Sequence, residues 1–230
     1  MKSHGDWAAQ HFGYRFVATS LLEQALTHRS AGSNNNERLE FLGDSVLGLI
    51  VSVQLYRARP HADEGSLSRI RTSLVRRSTQ AEIAAEIGLG NLVRLGSGEL
   101  KSGGHNRQSI LADVLEAVLG AIFLDGGYQA AKTAILNIYG SRLEDFPDDE
   151  TLKDFKTRLQ ETLQGQGLPP PEYIVTSVSG AAHAREFQVA CRVQSMGLET
   201  TGQDTSRQLA EQNAAGRALE LLGNGEESVS

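Results

Sequence analysis

The sequence predicts two folded units in series, an all-α domain over the first two thirds and then a small α+β unit of order α-β-β-β-α. Three observations carry this. Apolar residues recur at helical spacing from about residue 20 to 143, a stretch in which Pro60 is the only proline. The segment 144–150 (EDFPDDE) holds five acids in seven positions around the helix-breaking Pro147 and marks the junction. Beyond it the pattern changes to a helix, alternating segments and a closing helix. With 230 residues, 40% hydrophobic and 22% charged, the chain is long and apolar enough for folded cores, and a mostly disordered chain is excluded.

In the first region the spacing predicts helices at about 20–28, 37–58, 65–87, 108–125 and 128–143. Leu39, Leu42, Val46, Leu49, Ile50 and Val53 form one face of the second. Gly65-Ser66 opens the third, and Gly88-Leu89-Gly90 closes it at a glycine C-cap. Ser109 is the expected N-cap of the fourth, and the glycine-rich stretch 96–108 reads as a loop. In the second region a helix is expected from Thr151 to Leu163, with Phe155, Leu159 and Leu163 on one face. Gly165, Gly167 and Pro169-Pro170-Pro171 end it. Tyr173–Val178 and Phe187–Val193 have strand composition, and Thr205 or Ser206 can cap a last helix from Arg207 to Leu222. The divisions follow: a helical domain over 5–128, a last helix and acidic linker over 129–152, and the α+β unit over 153–224.

The net charge of −6 argues at face value against a nucleic-acid partner. The acids are concentrated at the junction and the tail, however, and residues 1–143 carry 15 basic against 13 acidic side chains. Bulk charge therefore decides nothing. The N-terminal MKSHGDWAAQHF lacks a signal-like apolar stretch, and the longest apolar run, Ile110–Leu124, is short and interrupted by Asp113 and Glu116. A single cysteine, Cys191, excludes an internal disulfide and any multi-cysteine zinc site, and a reducing cytoplasm is the expected compartment. Cys191 shares parity with Phe187, Val189 and Val193, which makes it core filler.

The sharpest chemical signal is acids within apolar helices. Glu37, Glu40 and Asp44 fall at i, i+3 and i+7, one stripe of one helix, where like charges repel. Asp113 and Glu116 stand at i, i+3 among Ile110, Leu111, Val114, Leu115, Val118, Leu119 and Ile122, a helix with almost no polar face. Such carboxylates must be neutralised by protonation, a basic partner or a metal. Two acid pairs from two helices can converge on a hard divalent cation, Mg²⁺ or Mn²⁺ rather than Zn²⁺, and such a site points to phosphoryl chemistry. The bland alternative is local: Asp113 favours a helix dipole and Glu116 pairs with an arginine such as Arg71. In the same way Arg69, Arg71, Arg76 and Arg77 form either a phosphate-binding cluster or a solvated face.

The run Asn35-Asn36-Glu37-Arg38-Leu39-Glu40-Phe41-Leu42-Gly43-Asp44-Ser45 resembles the signature of bacterial ribonuclease III, the double-strand-specific RNA endonuclease. The resemblance extends over Ala25–Ser30, Asp63-Glu64-Gly65, Leu95–Glu99 and Ser109–Ala117, and covers nearly the whole chain. It implies that Glu40, Asp44, Asp113 and Glu116 hold a catalytic Mg²⁺, with Mn²⁺ able to substitute, and that Glu37 and Glu64 lie near the RNA. It implies hydrolysis of double-stranded RNA to 5′-phosphate and 3′-hydroxyl ends, in ribosomal precursors and other structured transcripts, by a homodimer. Phe41, an apolar side chain among the acids, is either a dimer contact or a core-packing residue. Arg107 and Lys101 are further phosphate candidates. His28 and Arg29 match a family motif but are read as packing residues.

The C-terminal unit resembles a double-stranded RNA-binding domain, a reader of A-form shape. By that resemblance Thr157, Gln160 and Glu161 approach one minor groove, and the loop 180–183, with His183, the next. Members carry two or three cations where the last helix begins. Here the stretch is Ser206-Arg207-Gln208-Leu209, with Arg207 the sole cation and a weaker grip expected. Two rival classes are a binding protein that masks duplex RNA without cutting it, and an all-α nucleotide pyrophosphohydrolase. The clustered acids speak against the first, and the RNA reader against the second.

Overall fold

The computed structural model describes residues 4–143, 145–146, 152–180 and 184–226, and separates into two compact units, 1–149 and 150–230. Unit one is built from α1 (His4–Phe12), α2 (Thr19–Ala25), α3 (Glu37–Ala58), α4 (Glu64–Val75), α5 (Arg77–Glu86), α6 (Ser97–Lys101) and α7 (Gln108–Tyr139), with short 3₁₀ turns between. Its centre is α7. Ile110, Val114, Leu115, Val118, Leu119 and Ile122 are all buried, as an all-round apolar helix must be. Gly127, at φ +74°, breaks the helix, so two helical segments meet there, as the sequence predicts.

Several expectations change. Helix α1 was not foreseen; Trp7 and Phe12 bury it, and the Trp7 indole donates to the Ile87 carbonyl at 2.8 Å. The helix expected over 65–87 is two, because Arg76 is extended at φ −65°, ψ 150°. The start of α4 is capped by Asp63, whose Oδ1 accepts from the Ser66 N–H at 2.7 Å. The stretch 96–108 is not all loop but contains α6 and a 3₁₀ turn at Gly104–Asn106. Ser109 lies inside α7 rather than capping it. On α3 the buried face is Leu39, Gly43, Val46, Leu47, Ile50, Val51 and Leu55, whereas Leu49 is exposed together with Phe41 and Tyr56. By length and composition α3 is also the one helix among the described residues able to cross a membrane, a possibility the reading of Ile110–Leu124 as the longest apolar run passed over. Its inward face is instead packed on α7.

Unit two comprises α8 (Phe155–Gly165), β1 (Glu172–Ser179), β2 (Glu186–Val193), β3 (Leu198–Asp204) and α9 (Arg207–Glu226). The antiparallel sheet has order β1-β2-β3, with Val189 opposite both Val175 and Gly202 and a bulge at Thr176. Leu159 and Leu163, Cys191 and Val193, and Ala214, Ala215 and Ala218 form its core, so Cys191 is core filler as read. Helix α8 starts at Phe155 rather than Thr151, with Asp154 Oδ1 accepting from the Thr157 N–H at 2.8 Å. Ser206, of the two residues proposed, caps α9 by accepting from the Leu209 N–H.

Candidate active site

Two glycines bring the acid-bearing helices together. A methyl group on Gly43 of α3 would overlap the carbonyl oxygen of Glu116, and one on Gly120 of α7 would overlap the carbonyl oxygen of Leu39. Glycine inside a helix costs about 0.5–1 kcal/mol relative to alanine. Here that cost lets two backbones touch, and Gly43 immediately precedes Asp44. Glu40 and Asp44 from α3 thereby meet Asp113 and Glu116 from α7.

The electrostatics record the convergence. Burial raises Glu116 from 4.5 to about 7, against the Gln80 hydrogen bond, with Asp44, Glu40 and Asp113 each adding repulsion. Burial and then Asp113 raise Glu40, while Arg77 pulls it down. Burial raises Asp113, opposed by Arg77, His28 and Arg29. Arg77 reaches Asp113 across the site at 3.3 Å. A side chain 65% exposed makes that pair worth little to stability.

A polar cavity of about 380 Å³ adjoins these acids, and its walls include Glu37, Glu40, Arg77, Arg107 and Asp113. His28 and Arg29, read as packing residues, also line it. The His28 ring bonds Ser30 at 2.8 Å and Arg29 pairs with Glu37 at 3.6 Å. Arg107 is engaged by Glu99 at 3.1 Å. Asn36, 2% exposed, lines the cavity with its side-chain N–H₂ unpartnered. Glu64 is elsewhere, in a separate cavity of about 620 Å³ with Tyr56, Arg57, Leu67 and Arg71. Arg71 is therefore not in this polar cavity, and the partner of Glu116 is Gln80.

Among the described residues no three acidic or imidazole groups are already gathered as a finished metal site. The donor set nonetheless suits a hard divalent ion: oxygen ligands only, mutually repelling and three of them partly buried, with no sulfur and one imidazole nearby. Glu40, Asp44, Asp113 and Glu116 are the residues that would hold it.

In unit two, Gln160 and Glu161 are exposed on α8 and Thr157 is half-buried, while Leu159 and Leu163 face the core, and Glu161 pairs with Lys153 at 2.6 Å. His183 lies outside the described residues. Arg207 bonds Glu211 at 2.8 Å, and the same carboxylate takes Lys156 of α8 at 2.6 Å. Burial opposes ionisation of Glu211, but these two cations hold its carboxyl below the usual range. Arg207 remains the sole cation of the Ser206–Leu209 stretch, but a second cation meets it on Glu211. Lys156 is brought there from another element.

Sequence reasoning missed Gly43, Gly120, Arg77 as the partner of Asp113, and Gln80. The glycines were detectable as costly residues in helix interiors, and Gln80 as a polar residue beside the apolar Ala81, Ile83 and Ala84. The pairing of Arg77 with Asp113 spans elements and left no local signal.

Residues 18–143 match the family model described as ribonuclease-III-like, and residues 155–222 match the double-stranded RNA binding motif. The chain is 52% identical over 213 residues to Ribonuclease 3 of Vibrio cholerae, covering 93% of this chain and 95% of that one. It is 49% identical over 225 residues to Ribonuclease 3 of Vibrio vulnificus, covering 98% and 100%. Among solved structures, a nuclease domain of ribonuclease III from Campylobacter jejuni superimposes with TM-score 0.58 at 40% identity, over 62% of this chain and 97% of that one. Another structure of that nuclease domain gives 0.57 at 42% identity, over 58% and 94%, and its description concerns flexibility in the region of dimer formation. By sequence, domain order and fold, the chain belongs to the ribonuclease III family of double-strand-specific endoribonucleases.

Proposed function

We propose that this enzyme cuts double-stranded RNA with Mg²⁺ held by Glu40, Asp44, Asp113 and Glu116, Mn²⁺ serving in its place. The observation that carries the reading is the glycine contact between α3 and α7, which draws four carboxylates of two helices towards one another so that three of them repel Glu116, a repulsion that a divalent cation would relieve. When bound, the metal supplies Lewis-acid polarisation of the phosphodiester and activation of the attacking water. The chain's own residues do the rest. Arg77 pairs with Asp113, a contact that a bound cation would have to displace. Arg107 and Arg29, on the cavity wall, present positive charge to the RNA backbone beside Glu37. The products are 5′-phosphate and 3′-hydroxyl ends, and the substrates include ribosomal precursors and other structured transcripts, in the cytoplasm.

The enzyme acts as a homodimer. Phe41, Leu49 and Tyr56, all exposed, share one stripe of α3, and Phe41 borders a cavity of about 600 Å³ with Leu21, Leu42 and Leu124. An exposed apolar stripe of that kind marks an association surface. In the second unit Thr157, Gln160, Glu161 and His183 read the minor grooves, and Arg207 contacts phosphate, with Glu64 near the RNA in the dimer. Incubating the full chain with end-labelled duplex RNA and Mg²⁺, with and without EDTA, tests the reading. Cleavage that EDTA abolishes and Mg²⁺ restores supports it. Duplex RNA that is bound but uncut with either Mg²⁺ or Mn²⁺ overturns it.

A further inference from the structure

Helix α4 stops at Val75 because its last carbonyls are taken by side chains instead of by a continuing helix. Thr79 Oγ1 donates to the Ser73 carbonyl at 2.8 Å, the Tyr139 hydroxyl to that of Leu74 at 3.3 Å, and Gln80 Nε2 to that of Val75 at 2.6 Å. The first two close the helix end without a hydrogen bond to the acids. Gln80 goes further. Its amide nitrogen, on a side chain only 2% exposed, also donates to Glu116 Oε1 at 2.7 Å. One amide proton meets a backbone carbonyl and the other a carboxylate, which fixes the orientation of the amide: turned over, Gln80 Oε1 would face two oxygens.

We infer that Gln80 is a positioning residue for Glu116, holding that carboxylate in the metal-binding arrangement before the metal arrives. The physical need is specific. Asp44, Glu40 and Asp113 all repel Glu116, and with no donor on it the side chain would swing away from them. Gln80 provides the one hydrogen bond that the described residues give this carboxylate. A neutral donor is also the right kind. A lysine or arginine there would pair with Glu116 and compete with the cation, as Arg77 does at Asp113, whereas an amide orients the oxygen and leaves its charge intact. The Val75 carbonyl is the rigid end of this bridge, so the α4–α5 break and the metal site are one construction. Partners that orient a metal ligand are typically worth about 10–100-fold in metal affinity.

The inference rests on Glu116 being a metal ligand, and the test separates the two. Binding of Mn²⁺ to the full-length protein is followed by electron paramagnetic resonance of the free ion for the parent, Gln80→Met, Glu116→Gln and the double variant, with circular dichroism reporting helix content. Methionine keeps the volume and removes the donor. The expected result is a Kd for Mn²⁺ raised about 10–100-fold in a fully helical Gln80→Met, and no further loss when Gln80→Met is added to Glu116→Gln. RNA cleavage by Gln80→Met should recover towards the parent rate as Mn²⁺ is raised, which separates a weakened metal site from a damaged fold. Unchanged Mn²⁺ affinity in Gln80→Met, or the same loss with Glu116 already replaced, overturns the inference. Unchanged affinity in Glu116→Gln overturns the ligand assignment instead. If Gln80→Met does not fold, the parent protein decides: the Gln80 side-chain amide resonances must shift as Mg²⁺ fills the site, and resonances that stay still overturn the inference.

Discussion

Glu116→Gln should make the metal-free protein more stable while destroying its activity. Burial and three neighbouring carboxylates raise the Glu116 carboxyl from 4.5 to about 7. Between those pH values the folded chain holds a proton that the unfolded chain has released, so stability falls as pH rises through the window and the loss is complete above about 7. At about 1.4 kcal/mol per pH unit the ceiling is ~3 kcal/mol, and partial exposure and relaxation reduce it to ~1–2 kcal/mol. Glutamine has the same shape and carries no charge. At pH 8 in EDTA the melting temperature of the nuclease unit should therefore rise by roughly 2–8 °C on substitution, and the gap should close towards pH 4.5, where the parent carboxyl is protonated. Mg²⁺ reverses the order, since an ion at about a hundred times its Kd adds about 2.7 kcal/mol to the parent and much less to the variant. Calorimetry over a pH series, with and without Mg²⁺, reads all of this. A variant less stable than the parent at pH 8 in EDTA, by a margin that does not move with pH, would refute the reasoning and make Glu116 a structural residue.

Gly43→Ala should separate α3 from α7, because the new methyl meets the Glu116 backbone and not a flexible side chain; we expect a loss of about 1–3 kcal/mol in urea melts and cleavage below a tenth of the parent rate. Phe41→Ala, removing a side chain 78% exposed, should leave the melting temperature of dilute protein unchanged and shift sedimentation from dimer towards the 24.8 kDa monomer. Gln208→Lys, at an exposed position one residue past Arg207, should tighten duplex binding at low salt and steepen the log–log salt dependence by roughly 0.7–0.9; parallel titration lines would show that this helix start does not face phosphate.

The acids were legible in the sequence because a carboxylate on an apolar helix face contradicts its surroundings, and two such contradictions on two helices imply that the helices meet. How they meet was not legible. Gly43 and Gly120 read along the chain only as weak helix formers, and their role exists only across the α3–α7 contact. The break at Arg76 was hidden for a related reason. Helical periodicity runs through 65–87, and the side chains that end α4 include Tyr139, more than sixty residues away. In the second unit strand alternation placed Cys191 in the core, but no local pattern could bring Lys156 to the carboxylate that holds Arg207.

The α3–α7 pair shows how an unfavourable arrangement becomes a site. Three of the four carboxylates are partly buried, each is repelled by others, and none of them contributes to the core. They are held by what surrounds them: Leu39, Val46, Leu47 and Ile50 on one helix, and Val114, Leu115, Val118 and Leu119 on the other, all at most 5% exposed. Fully burying an aliphatic side chain is worth about 1.5–3 kcal/mol, so eight of them outweigh the repulsion of four acids. The glycines convert that packing into proximity. Larger residues at 43 and 120 would let the same apolar faces associate at a greater distance, with the acids relaxed into solvent and no electrostatic debt for a cation to relieve. On the proposed reading, affinity for a metal is stored during folding, and it depends on two residues that carry no functional group.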